Sequence, residues 1–183
     1  MDKKRNSFEK GLTLVEMMTV IVVVSILAAM VFGNYGKGQE GLALERAGQR
    51  LLQDTRRVQE TAMSGALGSG VNAIGLYFNK TSGNETKYLI YNNTNANYYY
   101  EAGTDTIAEQ INIESRIKIC DIKDNGVSVN NISVSFMPPE PVTRINNNYS
   151  GHEATIVLCI SSDTSKTRTI KINNLGRIEI NNP

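Results

Sequence analysis

Twenty-one consecutive positions, Leu12–Phe32 (LTLVEMMTVIVVVSILAAMVF), are apolar or small and carry one charge, Glu16. A helix of that length rises about 30 Å, the thickness of a bilayer's hydrocarbon core. Further on, Leu44, Ala47, Leu51, Val58 and Ala62 recur at three- and four-residue spacing, with Thr55 filling one place. Arg46, Arg50, Gln53, Arg57 and Glu60 occupy the other faces. This spacing predicts an amphipathic helix with one stripe for a core, ending near Ser64-Gly65. Between the two stretches lies Gly33-Asn34-Tyr35-Gly36-Lys37-Gly38-Gln39-Glu40-Gly41. Each glycine costs a helix about 1 kcal/mol relative to alanine. The segment is expected to be a weak point in a long rod, or a simple linker at a membrane surface.

From Val71 the period shortens. Apolar or alternating runs at Ala73–Phe78, Lys87–Tyr91, Glu114–Ile122, Ile132–Phe136, Ala154–Ile160, Thr167–Ile172 and Arg177–Ile180 predict strands. Asn- and Gly-rich turns separate them, as an antiparallel arrangement requires. The last two runs pair best with Ile172 opposite Ile178. That register leaves Asn174-Leu175-Gly176 as a three-residue loop, puts Gly176 where positive φ is wanted, and sets Lys171 opposite Glu179. Cys120 and Cys159 both fall on the strand face opposite the isoleucines. If the Ile faces cover the helix, the cysteines share the far side of the sheet, as a disulfide or as two unpaired thiols. The fold class expected is α+β: a long N-terminal helix, membrane-spanning in its first half and amphipathic in its second, packed on an antiparallel β-sheet head. The divisions expected are 1–11, 12–32, 33–64 and 65–183.

Charge orients the chain. Lys3, Lys4, Arg5 and Lys10 precede the apolar run and no comparable cluster follows it, so the positive-inside rule leaves residues 1–11 in the cytoplasm and exports the rest. An exported head permits a disulfide. An ordinary signal peptide has a shorter apolar core, and a plain signal anchor leaves Glu16 unexplained: a carboxylate in the apolar core costs about 2.5 kcal/mol or more. The net charge is +1. Removing residues 1–11, with four basic and two acidic groups, leaves 15 against 16, a charge of −1, which suits a unit that packs beside copies of itself.

Catalytic chemistry is missing. His152 is the one histidine and lies in a turn-like stretch. No Cys-x-x-Cys, His-x-x-x-His or phosphate-binding glycine loop is present, and Asp121, Asp124 and Asn125 do not form an EF-hand pattern and read as solvated turn groups. No enzyme activity, cofactor or metal is expected. Pro138-Pro139-Glu140-Pro141 reads as a rigid loop.

Lys10-Gly11-Leu12-Thr13-Leu14-Val15-Glu16, with its basic leader and apolar run, resembles the cleavage motif of type IV prepilins and type II secretion pseudopilins. The resemblance implies cleavage between Gly11 and Leu12 by prepilin peptidase and N-methylation of Leu12. Leu12 stands where the family commonly has Phe. It also implies that Glu16 neutralises the amino terminus of a neighbouring subunit, although Leu12 and Glu16, four apart on one helical face, can also pair within one chain. The implied partners are other pilin or pseudopilin subunits, the peptidase, an inner-membrane assembly platform, and the membrane before assembly. The implied location is a single-pass inner-membrane chain with a cytoplasmic N-terminus, then a periplasmic or extracellular filament. The ending Asn-Leu-Gly-Arg-Ile-Glu-Ile resembles minor pseudopilins of the H type and FimT-like minor pilins. Gly176 and Arg177 match a basic element of DNA-uptake members, but Glu179 stands in place of their second Arg, so nucleic acid is not an expected partner. A minor pilin that uses its head to bind DNA or a surface, and a signal-anchored protein that never polymerises, are the alternatives.

Overall fold

The structure, a computed structural model, describes residues 13–65, 67–95, 97–138 and 142–181, and the side chains of 31–37 lie outside that description. It contains one helix, α1 (Leu14–Met63), and ten strands: β1 (Ala73–Asn79), β2 (Lys87–Asn93), β3 (Thr106–Asn112), β4 (Ile117–Asp124), β5 (Val127–Ser128), β6 (Asn131–Met137), β7 (Val142–Ile145), β8 (Glu153–Ile160), β9 (Thr167–Asn173) and β10 (Ile178–Asn181). Residues 1–39 and 40–183 form two compact units.

In the first unit the described side chains from Leu14 to Met30 are almost all exposed, Leu14 at 76% and Ile21 at 60%. Its polar side chains are satisfied locally. The Thr19 hydroxyl donates to Glu16 O at 2.8 Å and the Ser25 hydroxyl to Ile21 O at 2.7 Å. Such back-bonding leaves few hydrogen-bonding groups for water, and a continuous exposed apolar face marks an interaction surface. Among the described residues no helix is long and apolar enough to cross a membrane. That description of side chains stops at Met30, whereas the apolar run of the sequence continues through Val31 and Phe32. The helix backbone is unbroken through the glycine-rich segment.

In the second unit the predicted stripe is the buried one. Leu44, Ala47, Leu51, Thr55, Val58 and Ala62 are buried, joined by Ala43 and Leu52. All but Thr55 and Leu52 share one core with strands from two five-stranded antiparallel sheets, ordered β3-β2-β1-β6-β7 and β10-β9-β8-β4-β5. The first sheet contributes Ile74, Leu76, Phe78, Val134 and Phe136, the second Ile117, Ile119, Ile156, Leu158, Ile170 and Ile172. Polar contacts at the rim fix the helix to both. Arg46 bonds Glu114 at 2.6 Å, Arg57 bonds Glu109 at 2.9 Å, and the Tyr88 hydroxyl donates to Asp54 at 2.6 Å on the first side. On the second, Arg168 pairs with Glu45, and Gln59 donates to Gly176 O at 3.1 Å. Exposed pairs of this kind contribute little energy each. The shared core holds the helix in place.

The C-terminal hairpin has the expected register: Ile178 opposite Ile172 and Glu179 opposite Lys171, with Gly176 at φ 75°. The expected ion pair across it is replaced. Lys171 turns to Glu153 on the neighbouring β8, at 2.8 Å, and Glu179 pairs with Arg177. Three strands had no prediction: β3 is exposed except for Ile111, β5 has two residues, and β7 follows the prolines. Pro139, Glu140 and Pro141 lie outside the described residues.

Candidate functional site

Two places carry chemistry. The first is the start of α1. Gly11 and Leu12 lie outside the described residues. Immediately after them, Thr13 and Glu16 form a reciprocal cap. The Glu16 backbone N–H donates to Thr13 Oγ1 at 3.2 Å, while the Thr13 backbone N–H and hydroxyl both reach Glu16 Oε2 at 3.4 Å. This is a capping box, Ser/Thr-x-x-Glu, which satisfies otherwise orphaned N–H groups at a helix start. The carboxylate is thereby drawn to the terminus of the helix rather than left along its apolar side. It also lies where the positive end of the helix dipole favours an anion. The arrangement allows Glu16 to meet a nearby ammonium from its own chain or from another.

The second place is the outer face of the first sheet. Gly75, Tyr77, Tyr91, Ser133 and Ser135 alternate with the core residues of β1, β2 and β6 and so face away from α1. The chain between β2 and β3 folds over them. Asp105, 7% exposed, accepts the backbone N–H of Thr94 at 3.0 Å and of Glu101 at 2.9 Å, which closes that loop. The loop is fastened to β6: Tyr100 N–H donates to Ser133 Oγ at 3.0 Å and the Ser135 hydroxyl to Tyr98 O at 2.6 Å. Beneath it, Tyr100 packs on Tyr77 and Tyr91, with ring centroids 4.7 and 5.3 Å away. Gly75 makes room for Tyr91: a Cβ there would stand 2.8 Å from the Tyr91 ring and 2.7 Å from Val134 O.

Burial pushes the Tyr91 phenol up to about 12, against the opposing effect of its hydrogen bonding with Ser135 and Ser133. Tyr88 is raised as well, by burial first and then by its bond to Asp54. A phenol whose folded pKa exceeds the unfolded value near 10 contributes stability that is fully present below about pH 10. That stability is lost as pH rises through the folded pKa. The head is therefore expected to lose strand signal in far-ultraviolet circular dichroism as pH climbs from about 10 to 12. Tyr91→Phe is expected to reduce the slope of that loss, and an unchanged slope would contradict the assignment.

The remaining sequence candidates are spread out. Cys120 and Cys159 are joined as a disulfide with Cα atoms 5.8 Å apart. Cys120 is the extra residue of a bulge between Ile119 and Asp121 in the β4–β8 pairing. Cys159 is fully buried. Asp121 is taken by Lys80 at 2.8 Å and by the Ser128 hydroxyl at 2.6 Å. Its burial favours the neutral acid, but those bonds outweigh it and hold the carboxyl below its usual range. Asp124 is taken by His152 Nδ1 at 2.7 Å and by the Asn146 amide at 3.0 Å. These groups are half-buried and engaged rather than solvated turn residues. No group of three or more His, Cys, Asp or Glu side chains able to hold a metal ion occurs among the described residues. Nothing in the sequence reading singled out the tyrosine face. Its signal was the run Tyr98-Tyr99-Tyr100 together with Ser133 and Ser135 alternating against Ile132, Val134 and Phe136.

Comparison with known proteins gives one firm result. Residues 6–32 match the family model described as the prokaryotic N-terminal methylation motif. No curated protein matches the chain. Two crystal forms of the Pseudomonas aeruginosa type IV minor pilin FimU are similar in structure, at 16% and 15% identity and a TM-score of 0.44 each. They cover 75% of this chain and 92% and 87% of theirs.

Proposed function

We propose that the chain is a minor subunit of a type IV pilus or type II secretion pseudopilus, made as a precursor, cut after Gly11, N-methylated on Leu12 and assembled through α1. The observation that carries this reading is the methylation motif over residues 6–32. The geometry supports it in two ways. The helix start presents a carboxylate at the end of an apolar rod, and the side chains from Leu14 to Met30 are exposed and apolar, suited first to lipid and then to neighbouring rods. The leader's lysines and arginine keep it on the cytoplasmic side, so the head is exported. The chain then spans the inner membrane once before assembly, and its partners are the peptidase, the assembly platform and other subunits. In this reading the role is structural.

Glu16 has two possible partners, the amino terminus of its own chain and that of a neighbour. The filament reading takes the neighbour, because a register-setting contact between subunits needs a partner that another subunit supplies. A DNA-binding tail is disfavoured, since Arg177 is paired with Glu179 and an acid beside phosphate repels it. In an exported head Cys120 and Cys159 stay oxidised.

Expression with and without a prepilin peptidase tests the reading. With the enzyme the chain is expected to shorten by the 11 residues of the leader. Gly11→Val is expected to leave it full length and confined to the membrane fraction. Equal mobility in both hosts would overturn the proposal.

A further inference from the structure

The loop between β2 and β3 gathers oxygen atoms around one point. Asn93, the last residue of β2, is fully buried, and its Nδ2 lies within 3.5 Å of five oxygens. They are Asn95 Oδ1 at 3.1 Å, Asn97 Oδ1 at 3.2 Å, the Tyr99 carbonyl at 3.4 Å, and Asp105 Oδ1 and Oδ2 at 3.4 and 3.5 Å. An amide nitrogen carries two hydrogens and cannot satisfy five acceptors. The other atom of the same amide, Asn93 Oδ1, is buried and has no partner. A buried oxygen without a donor, beside a nitrogen crowded by acceptors, calls for an explanation. Turned over, the amide adds a sixth oxygen to the cluster. What such a cluster lacks is a positive charge at its centre.

The backbone holds these oxygens in place. Asn95 Oδ1 accepts the Asn97 N–H at 3.2 Å and Asn97 Oδ1 the Tyr99 N–H at 3.4 Å. The two Asp105 oxygens accept the N–H groups of Thr94 and Glu101, and each oxygen keeps a lone pair for the centre. The inward groups recur at every second residue. With Asn93 as the first position, side chains come from the first, third and fifth and a carbonyl from the seventh, the order of the calcium loop of an EF-hand. At the sixth position, where that loop makes a sharp turn on glycine, stands Tyr98 with φ 56°. A tyrosine held in the left-handed region is strained, and such strain gathers at ligand clamps. Glu101 is ninth, with Oε2 2.9 Å from the Asn95 amide nitrogen. The closing carboxylate, Asp105, comes one place later than in an EF-hand.

We propose that Asn93, Asn95, Asn97, Tyr99 and Asp105 form a calcium-binding site. The Asn93 amide turns its oxygen inward, Asp105 binds through both oxygens, and the Tyr99 carbonyl joins the two other amide oxygens. Glu101 supplies a second negative charge beside the ion. Every donor is an oxygen, and the set includes a two-toothed carboxylate. That suits calcium, which takes about 6–8 oxygens at about 2.3–2.6 Å in flexible geometry. Magnesium demands a near-ideal octahedron at about 2.0–2.1 Å and gives up its water reluctantly. Two carboxylates among amides are a low charge count, so the dissociation constant is expected at about 0.1–1 mM. The bound ion fastens the β2–β3 loop over the tyrosine face, where Tyr100 packs on Tyr77 and Tyr91. The inference stands apart from the filament reading, and its failure leaves that reading untouched.

Terbium luminescence and calorimetry on the chelator-treated full chain in detergent micelles test it. The chain has eight tyrosines and no tryptophan, and a lanthanide held at the Tyr99 carbonyl is close enough to Tyr98, Tyr99 and Tyr100 to be excited through them. Tyrosine-excited terbium emission is expected to appear and to be displaced by calcium at about 0.1–1 mM, and by magnesium at least about tenfold more weakly. Asp105→Asn is expected to weaken calcium binding at least about tenfold. Because Asp105 also closes the loop, Asn97→Asp gives an independent reading. It keeps the size of the side chain, adds a charge to the ring and is expected to tighten calcium binding about tenfold. Saturating calcium is expected to raise the thermal midpoint of the wild type by a few degrees and to leave Asp105→Asn unchanged. Absence of any calcium effect up to about 10 mM, well above the expected constant, would overturn the proposal. So would equal competition by magnesium, full affinity in Asp105→Asn, or an affinity that Asn97→Asp leaves unchanged or lowers.

Discussion

Chains carrying Glu16→Gln are expected to be processed normally yet to enter filaments at about a hundredth of the wild-type level. The glutamine retains a side-chain oxygen for the Thr13 cap, so the start of α1 is expected to remain helical. What it removes is the charge. In the proposed reading, cleavage leaves an ammonium at the end of an apolar helix, and inside a packed filament that cation has few alternatives to Glu16. Leaving one partner of a buried pair uncompensated costs about 3–5 kcal/mol, and each 1.4 kcal/mol is a factor of ten. Quantitative blotting of sheared filaments against the membrane pool measures the ratio. Thr13→Ala provides the contrast: it weakens the cap but leaves the charge, and its effect is expected to be several-fold at most, as cap losses of about 1 kcal/mol dictate. Incorporation of the Gln variant at wild-type level would mean that Glu16 serves its own helix only.

The second large effect concerns the head. Replacing both Cys120 and Cys159 with alanine is expected to lower the head's stability by about 4 kcal/mol. The bond closes a separation of 39 residues, and the chain-entropy cost of that loop in the unfolded state sets the magnitude. Cys159 is fully buried, so its truncation adds a small packing loss in the same direction. Urea unfolding of the full chain in detergent, with and without reductant, measures it. The wild type is expected to fall to near the double variant's midpoint once reduced. Coincident midpoints for oxidised and reduced wild type would show that the bond does not form.

The elements that could be seen in the sequence were those whose side chains obey a period. The stripe Leu44 to Ala62 was legible because its residues face one core, and the last hairpin because apolar pairing and Gly176 agreed on one register. The partner of Lys171 was not, because β8 lies on its other side and Glu153 competes with Glu179 for the same ammonium. β3 escaped because an exposed edge strand with one buried residue carries no alternation. That the head holds two sheets, with α1 against both, follows from which strands pair across long loops, and sequence periodicity does not carry that information. The methylation motif over residues 6–32 was visible because it is contiguous. The tyrosine face was hidden because Tyr77, Tyr91 and Tyr100 come from separate segments and meet only when the β2–β3 loop closes on Asp105.

The most direct test of the central claim is mass spectrometry of the mature amino terminus, from cells that contain a prepilin peptidase. The account predicts a chain that begins at Leu12 and carries one added methyl group on its amine. A chain that retains residues 1–11, or one cut elsewhere in the apolar run, such as after Ala28 or Ala29, would contradict it.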